Sequence, residues 1–370
     1  LNVYAEWYVE VLASYNLDSY FGFYPDAVVP LKNFKMLHHN SIDANENQGL
    51  LVEAKIPLDA APGKYTGTAV LDLDGTKYNV PIELTVYDAQ MPEQLQMETL
   101  FSIWWDYIAY GEGSYDSDLA EAYYWFLVDK KIMPGTVRPS VFNNYEAYTQ
   151  YIIDNFYDNP KISSYSLPYN YDIEAEYEDG RMVVQSKLEE LLTVMALANI
   201  ELRKTDPDAD IFKKANFYLG SVIDEPSGAN GIARVKECDR RIAEAKKNVA
   251  DKYLTEYPDL YYSMMDIRHI VTTPYNKELL GGDELGGVQC WCPQFQHWHT
   301  EQQRQEYWDR QETTDRFTGE HAWWYGCNNP KAPFPTYHLD DDNIGARVLS
   351  WMQFDYNVEG NLYWLDNNYK

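Results

Sequence analysis

The stretch Asn216-Phe217-Tyr218-Leu219-Gly220-Ser221-Val222-Ile223-Asp224-Glu225-Pro226 runs from an apolar segment into two adjacent carboxylates and is stopped by proline. A short apolar run bounded in this way, 216–223, reads as a buried parallel strand. Pro226 biases Glu225 away from helical backbone and ends the strand there. In a barrel of parallel strands the strand body is buried and its carboxyl end opens on the pocket, so Asp224 and Glu225 are predicted to emerge at that rim. Adjacent carboxylates in different surroundings can be pushed to different protonation states, one an acid and the other an ionised partner that stabilises charge. Taken alone, such a pair would more readily begin a polar loop or cap the next helix through Asp224. Its place at a strand end within a repeating pattern reverses that preference.

The pattern extends on both sides. Eight candidate strands, at 97–105, 132–137, 162–169, 216–223, 260–266, 287–292, 321–326 and 360–365, alternate with helical segments at 118–130, 145–157, 186–204, 231–250, 301–313 and 343–355. In 231–250, Ile232, Val235, Ile242, Ala245 and Val249 recur at helical spacing on one side, with Lys, Arg and Glu on the other. Alternation of this kind predicts a (β/α)8 TIM-type barrel over 91–370, its last unit incomplete because only 366–370 follow the eighth strand. Residues 1–90 read differently. Segment 51–57 alternates, Pro62-Gly63 supplies a turn, and 68–73 is joined to 76–86 through Asp74-Gly75, a two-residue hairpin signal. The expectation is an N-terminal β-sandwich module, partial in this chain, with Met91-Pro92-Glu93 as the boundary.

Composition narrows the function. Thirty Lys and Arg against 58 Asp and Glu give a net charge of -28, a field that repels phosphate backbones and anionic lipid. Nucleic acid is therefore not an expected partner. No apolar stretch reaches the roughly 18 residues of a membrane span. Thirty-three Tyr and 11 Trp hint at carbohydrate, because flat amphipathic rings stack on sugar faces, although Tyr also fills half-buried strand positions. Cys238, Cys290, Cys292 and Cys327 match no zinc spacing and read as buried thiols, so no metal site is expected. His297 and His299 lack a third ligand and read as a rim feature. The first basic residue is Lys32, and the amino terminus lacks the charged and apolar regions of a signal peptide.

Aromatic and polar residues gather at the predicted carboxyl ends of other strands. Trp104, Tyr169, Tyr171, Asp266, Trp291, Trp324, Trp364 and Asn367 are the candidates for a sugar-binding wall. For any single ring, core packing is at least as good an explanation; as a set they fit a carbohydrate cleft better than a phosphate site. No Gly-x-Ser-x-Gly, Gly-x-Gly-x-x-Gly or Gly-x-x-x-x-Gly-Lys motif is present.

Several segments taken together resemble glycoside hydrolase family 123, the β-N-acetylgalactosaminidase-type enzymes, and the families sharing their catalytic domain. They are Ala61-Pro62-Gly63-Lys64-Tyr65-Thr66-Gly67, Met91-Pro92, Asp224-Glu225-Pro226, Gln289-Cys290-Trp291-Cys292-Pro293, and 347–351 followed by Gly360-Asn361-Leu362-Tyr363-Trp364. The resemblance covers the chain from about residue 50 onward. It implies a retaining enzyme that uses the substrate's own 2-acetamido group as nucleophile, an exception to the two-carboxylate scheme. Carried onto this sequence, it makes Glu225 the general acid and base, and Asp224 the group that holds the acetamido nitrogen. It implies no metal or organic cofactor, a glycan or oligosaccharide as substrate, and, on functional grounds, an extracellular or cell-surface location. Two alternatives stay open: a conventional glycosidase pairing Glu225 with Asp106, Asp266 or Asp366, and a catalytically silent barrel that binds glycan.

Overall fold

The computed structural model describes residues 2–11, 22–33, 42, 44–95, 97–114, 116–135, 144–167, 177–178, 181–218, 223–280, 287–311, 320–339, 341–342 and 344–364. Contacts divide the chain into two units, Leu1–Pro92 and Glu93–Lys370.

The first unit is antiparallel. Strand β1 (Asn2–Val11) pairs with β2 (Gly22–Pro30) on one side and β3 (Leu50–Glu53) on the other. Strands β4 (Gly63–Leu73) and β5 (Thr76–Val86) form a separate hairpin. Its register closes at Leu73 against Thr76, and Asp74 and Gly75 both take positive φ, 51° and 84°. That is the backbone a type I′ turn requires, and it follows from the Asp-Gly pair. The described residues of this unit do not show the expected β-sandwich. A sandwich buries alternate residues of two facing sheets, whereas Tyr65, Val70, Tyr78 and Val80 of the hairpin are exposed and only Ala5 is buried among the described residues of this unit.

The second unit is built on a nearly closed, all-parallel sheet of seven strands among the described residues, in the order β6-β14-β13-β12-β11-β10-β7. These strands are β6 (Glu98–Phe101), β7 (Tyr165–Ser166), β10 (Ala215–Tyr218), β11 (Arg268–Val271), β12 (Cys290–Trp291), β13 (His321–Gly326) and β14 (Gly360–Tyr363). The short ribbon of β8 (Tyr177–Glu178) and β9 (Arg181–Met182) lies between β7 and β10 in sequence. Helices Ser117–Asp129, Tyr145–Asn155, Val183–Leu202, Gly228–Tyr253, Glu301–Gln311 and Ile344–Asp355 supply the crossovers. The eight-stranded (β/α)8 barrel expected from the sequence is thus corrected to seven strands. Of the predicted strand 132–137 the described residues, 132–135, make one isolated bridge, Phe101 to Pro134, with Phe101 N–H donating to Met133 O at 2.8 Å and Gly135 N–H to Phe101 O at 3.1 Å. Pro134 has no N–H to offer a strand on its other side. Hydroxyls take over part of that seam: Ser164 Oγ donates to Thr99 O at 3.0 Å, and Met133 N–H donates to Thr99 Oγ1 at 2.8 Å.

Alternation along the strands sorts the core into two layers. Leu100, Ile270, Cys290, Cys292, Trp323, Tyr325 and Leu362 form a cluster contributed by strands and their ends alone, the barrel interior. Phe217, Val271, Trp291, Ala322 and Trp324 belong to the larger cluster shared with the helices. Trp323 fits inside because Gly360 opposite carries no side chain; a Cβ there would stand 2.0 Å from the indole. The fifth predicted strand, 260–266, is instead the helix Pro258–Met265, and β11 begins at Arg268. Proline in the first turn and Asp259 beside it are helix-start signals that outweigh the apolar run.

That displacement turns Asp266 and Arg268 to the amino-terminal end of the sheet. Arg268 donates to Glu98 at 2.9 Å and pairs with Glu359 at 3.6 Å, and His321 lies between Glu359 and Asp266. Burial works against charge on His321, as does Arg268, but Asp266 and Glu359 hold its pKa above the ordinary histidine value. Its contribution is present below the unfolded pKa and fades as pH rises through the folded one. This network floors the barrel with charge. Replacing Arg268 by Met strands two carboxylates, and the expected loss is about 3–5 kcal/mol of unfolding free energy, read by urea denaturation; an unchanged midpoint would contradict the assignment.

Candidate active site

Four successive strands of the sheet, β10 to β13, bring their carboxyl ends together around Asp224 and Glu225. Beyond β10, Ile223 is buried and the two carboxylates follow at the exposed rim. Glu225 adopts φ of 43°, a left-handed conformation uncommon outside glycine and costing energy unless its surroundings impose it. The hydroxyl of Thr272, just beyond β11, imposes it. Thr272 Oγ1 accepts the Glu225 backbone N–H at 3.0 Å and donates to Asp224 Oδ1 at 2.8 Å, so one buried hydroxyl holds the backbone of one acid and the side chain of the other.

The Glu225 side chain reaches across the barrel mouth to β12 and β13. Its Oε1 accepts from the Tyr325 hydroxyl and from Gln294 Nε2, the latter at 3.1 Å. The two donors are neighbours because an isolated parallel bridge, Gln294 to Tyr325, continues the pairing past β12, with Tyr325 N–H donating to Pro293 O at 3.0 Å. Gln294 Nε2 also lies 3.6 Å from Cys327 Sγ. A cleft of about 560 Å3 opens beside the pair, lined by Ile223, Asp224, Glu225, Ser227, Asn230 and Arg234 among others.

Asp224 has an open edge, yet partial removal of its carboxyl from water raises its pKa, and the adjacent Glu225 charge pushes the same way against the Thr272 hydrogen bond. Burial, followed by the bond to Glu225, pushes the Tyr325 phenol far up, so it stays protonated and serves as a donor. Burial likewise raises the Cys292 and Cys327 thiols, which disfavours thiolate at either position. Among the described residues no group of three or more His, Cys, Asp or Glu is arranged to hold a metal ion.

The sequence-predicted wall residues divide. Trp104, after β6, and Trp364, after β14, meet edge to face with ring centroids 5.5 Å apart, and Trp104 is exposed. Trp291 and Trp324 are fully buried in the helix-facing layer: Trp291 Nε1 donates to Glu320, and Trp324 packs on Phe295 and Trp298. Asp266 stands at the amino-terminal end against His321, apart from the acid pair. Tyr169, Tyr171 and Asn367 lie outside the described residues, as does Asp366. Asp106 sits in the first turn of the helix Trp105–Glu112. Sequence reasoning missed Thr272, Gln294 and Tyr325. Period-two alternation along 321–326 was a usable signal for Tyr325, since a strand that buries Trp324 against helices must turn Tyr325 inward.

The chain is similar to a solved structure of a family 123 glycoside hydrolase from Clostridium perfringens, determined in work on glycolipid glycan hydrolysis. The two share 13% identity and a TM-score of 0.47 over 98% of this chain and 66% of that one, so the chain spans about two thirds of that protein's length. A carboxylesterase candidate from Lactobacillus plantarum aligns at 8% identity and a TM-score of 0.15, over 82% of this chain and 88% of that one. No protein-family model and no curated protein matches the chain.

Thr272 is the residue to remove. Its hydrogen bond favours ionised Asp224, so in Thr272→Val burial and the Glu225 charge are opposed only by the Glu225 backbone N–H, and Asp224 is expected to titrate at higher pH than in wild type by carboxyl NMR. The Glu225 N–H also loses its acceptor, at a cost of about 1–2 kcal/mol in stability. Because the folded pKa of Asp224 already lies above its unfolded value, ionising it destabilises the fold, and the variant enlarges that penalty as pH rises past the unfolded pKa. Thr272→Ser should restore both properties; an unshifted Asp224 titration in the valine variant would remove Thr272 from its role.

Proposed function

We propose that this chain is a glycoside hydrolase that releases β-linked N-acetylhexosamine, N-acetylgalactosamine foremost, from glycans by a retaining, substrate-assisted mechanism. The observation that carries the reading is the adjacency of Asp224 and Glu225 with separate anchors, Thr272 for one, and Tyr325 with Gln294 for the other. Two neighbouring acids suit a reaction in which both groups act around one anomeric centre and no enzyme nucleophile is needed. The motif resemblance around Asp224-Glu225-Pro226 and 289–293 supports the same reading.

In this mechanism Glu225 donates its proton to the glycosidic oxygen as the bond to the anomeric carbon breaks, with the bonding pair leaving on that oxygen. The carbonyl oxygen of the substrate's 2-acetamido group attacks the same carbon from the opposite face. Ionised Asp224 accepts the acetamido N–H and stabilises the positive charge that spreads over the resulting ring. Water then opens the ring, giving its proton back to Glu225. Exposed Trp104, with half-buried Trp364 edge to face beside it, offers stacking surface for sugar. The reaction calls for no metal or organic cofactor, and a glycan substrate suits an extracellular or cell-surface location. Among the described residues no helix is long and apolar enough to cross a membrane.

The test is hydrolysis of aryl β-N-acetylgalactosaminide, β-N-acetylglucosaminide and plain β-galactoside by wild type, Glu225→Gln and Asp224→Asn. Cleavage restricted to the 2-acetamido sugars is expected, with losses of about 10²-fold or more in each variant. Activity should fall on acidification through the raised pKa of Asp224, at a pH above that of an ordinary aspartate. Cleavage of the plain galactoside would sink substrate assistance, and binding of glycan without turnover would favour a silent lectin-like barrel.

A further inference from the structure

Glu225 Oε1 accepts two hydrogen bonds, from Tyr325 and Gln294, and the orientation of the second donor is itself fixed. Gln296 Nε2 donates to Gln294 Oε1 at 2.6 Å, while the two hydrogens of Gln294 Nε2 face Glu225 Oε1 at 3.1 Å and Cys327 Sγ at 3.6 Å. A carboxamide has one acceptor oxygen and two N–H donors, and here each has a partner. Turning the amide over would set its oxygen against the Glu225 carboxylate and its NH2 against the NH2 of Gln296, so the relay runs in one direction only. Its base is rigid: Gln294 is bridged to Tyr325, and Gln296 lies in the single turn Phe295–Trp298, whose Phe295 and Trp298 are buried.

We propose that Gln294 and Gln296 are positioning residues that commit one oxygen of Glu225, Oε1, to accepting hydrogen bonds and leave Oε2 as the oxygen that carries the transferable proton. The inference rests on Glu225 being the general acid and base. A carboxyl oxygen that already accepts two hydrogen bonds is the less basic of the pair, so the proton resides on the other. Anchoring Oε1 also fixes the carboxyl plane, which aims Oε2 at one point above the mouth. In the forward step the proton passes from Oε2 to the leaving oxygen as its bond to carbon breaks; in the second step Oε2 takes the proton of the attacking water. Tyr325 and Gln294 keep donating to Oε1 in both.

Gln294→Met and Gln296→Leu test this with aryl β-N-acetylgalactosaminides of differing leaving group. On a phenyl leaving group, which needs the proton, kcat is expected to fall about tenfold or more in Gln294→Met with KM little changed. On dinitrophenyl, which departs without help, it should fall less than about threefold. Gln296→Leu should follow the same pattern more weakly, because the amide it frees can turn. Equal losses on both leaving groups would mark the glutamines as merely structural and overturn the proposal. A wild type that cleaves no aryl glycoside would defeat the reading of Glu225, and the relay is then decided without turnover by side-chain amide NMR. The Gln294 Nε2 resonances should move in both Glu225→Gln and Gln296→Leu, and resonances unmoved in both variants would overturn the relay itself.

Discussion

Side chains alternate along a strand, and in a sheet curled almost closed that alternation assigns every strand residue either to the interior or to the helix layer. On β13, Trp323 and Tyr325 go inward while Ala322 and Trp324 go outward; on β12, Cys290 goes in and Trp291 out. Trp323 occupies the space that Gly360 leaves, and the Arg268, Glu98, Glu359 and His321 network closes the amino-terminal end. Tyr325, next inward residue toward the carboxyl end, meets Glu225. The chemistry-bearing residues are therefore gathered at one end by the same rule that fills the other.

Within that end, the two acids differ because different strands hold them. Asp224 depends on β11 through a single threonine hydroxyl, which opposes the effects of burial and of its neighbour's charge. Glu225 is held in a strained backbone conformation by that same hydroxyl and is oriented at its side chain by donors beyond β12 and on β13. Two carboxylates adjacent in sequence are thus held from different, neighbouring strands. Separate anchors of this kind can give neighbouring carboxylates different surroundings.

Much of this arrangement is legible in the sequence where local and tertiary demands agree. The span 321–326 coincides with β13, the apolar face of 231–250 lies within the helix Gly228–Tyr253, and Asp74-Gly75 makes the turn its chemistry favours. Asp224 and Glu225 lie beyond the carboxyl end of β10, where proline after an apolar run places them. The reading fails where the same apolar density serves two structures. Segment 260–266 is as apolar as a buried strand, yet Pro258 starts a helix there, and the shift of the strand to Arg268 moves Asp266 to the far end. Segment 132–137 carries strand-like residues, but its described part pairs with β6 only through the bridge at Pro134. The choice of Trp324 over Tyr325 is an error of one register position, and one residue is all that separates the interior from the helix layer. Thr272 and Gln294 carry no local signature at all, since their roles come from pairing between distant strands.

The claim at the centre is that Asp224 and Glu225 serve a reaction passing through a cyclised 2-acetamido group. The most direct measurement is calorimetric titration with the thiazoline analogue of N-acetylgalactosamine, a neutral mimic of that ring, against wild type and Asp224→Asn. Binding is expected to be at least about 10²-fold tighter than that of free N-acetylgalactosamine and to weaken about tenfold or more in the variant. Binding no tighter than the free sugar, or equal binding to both proteins, would contradict it.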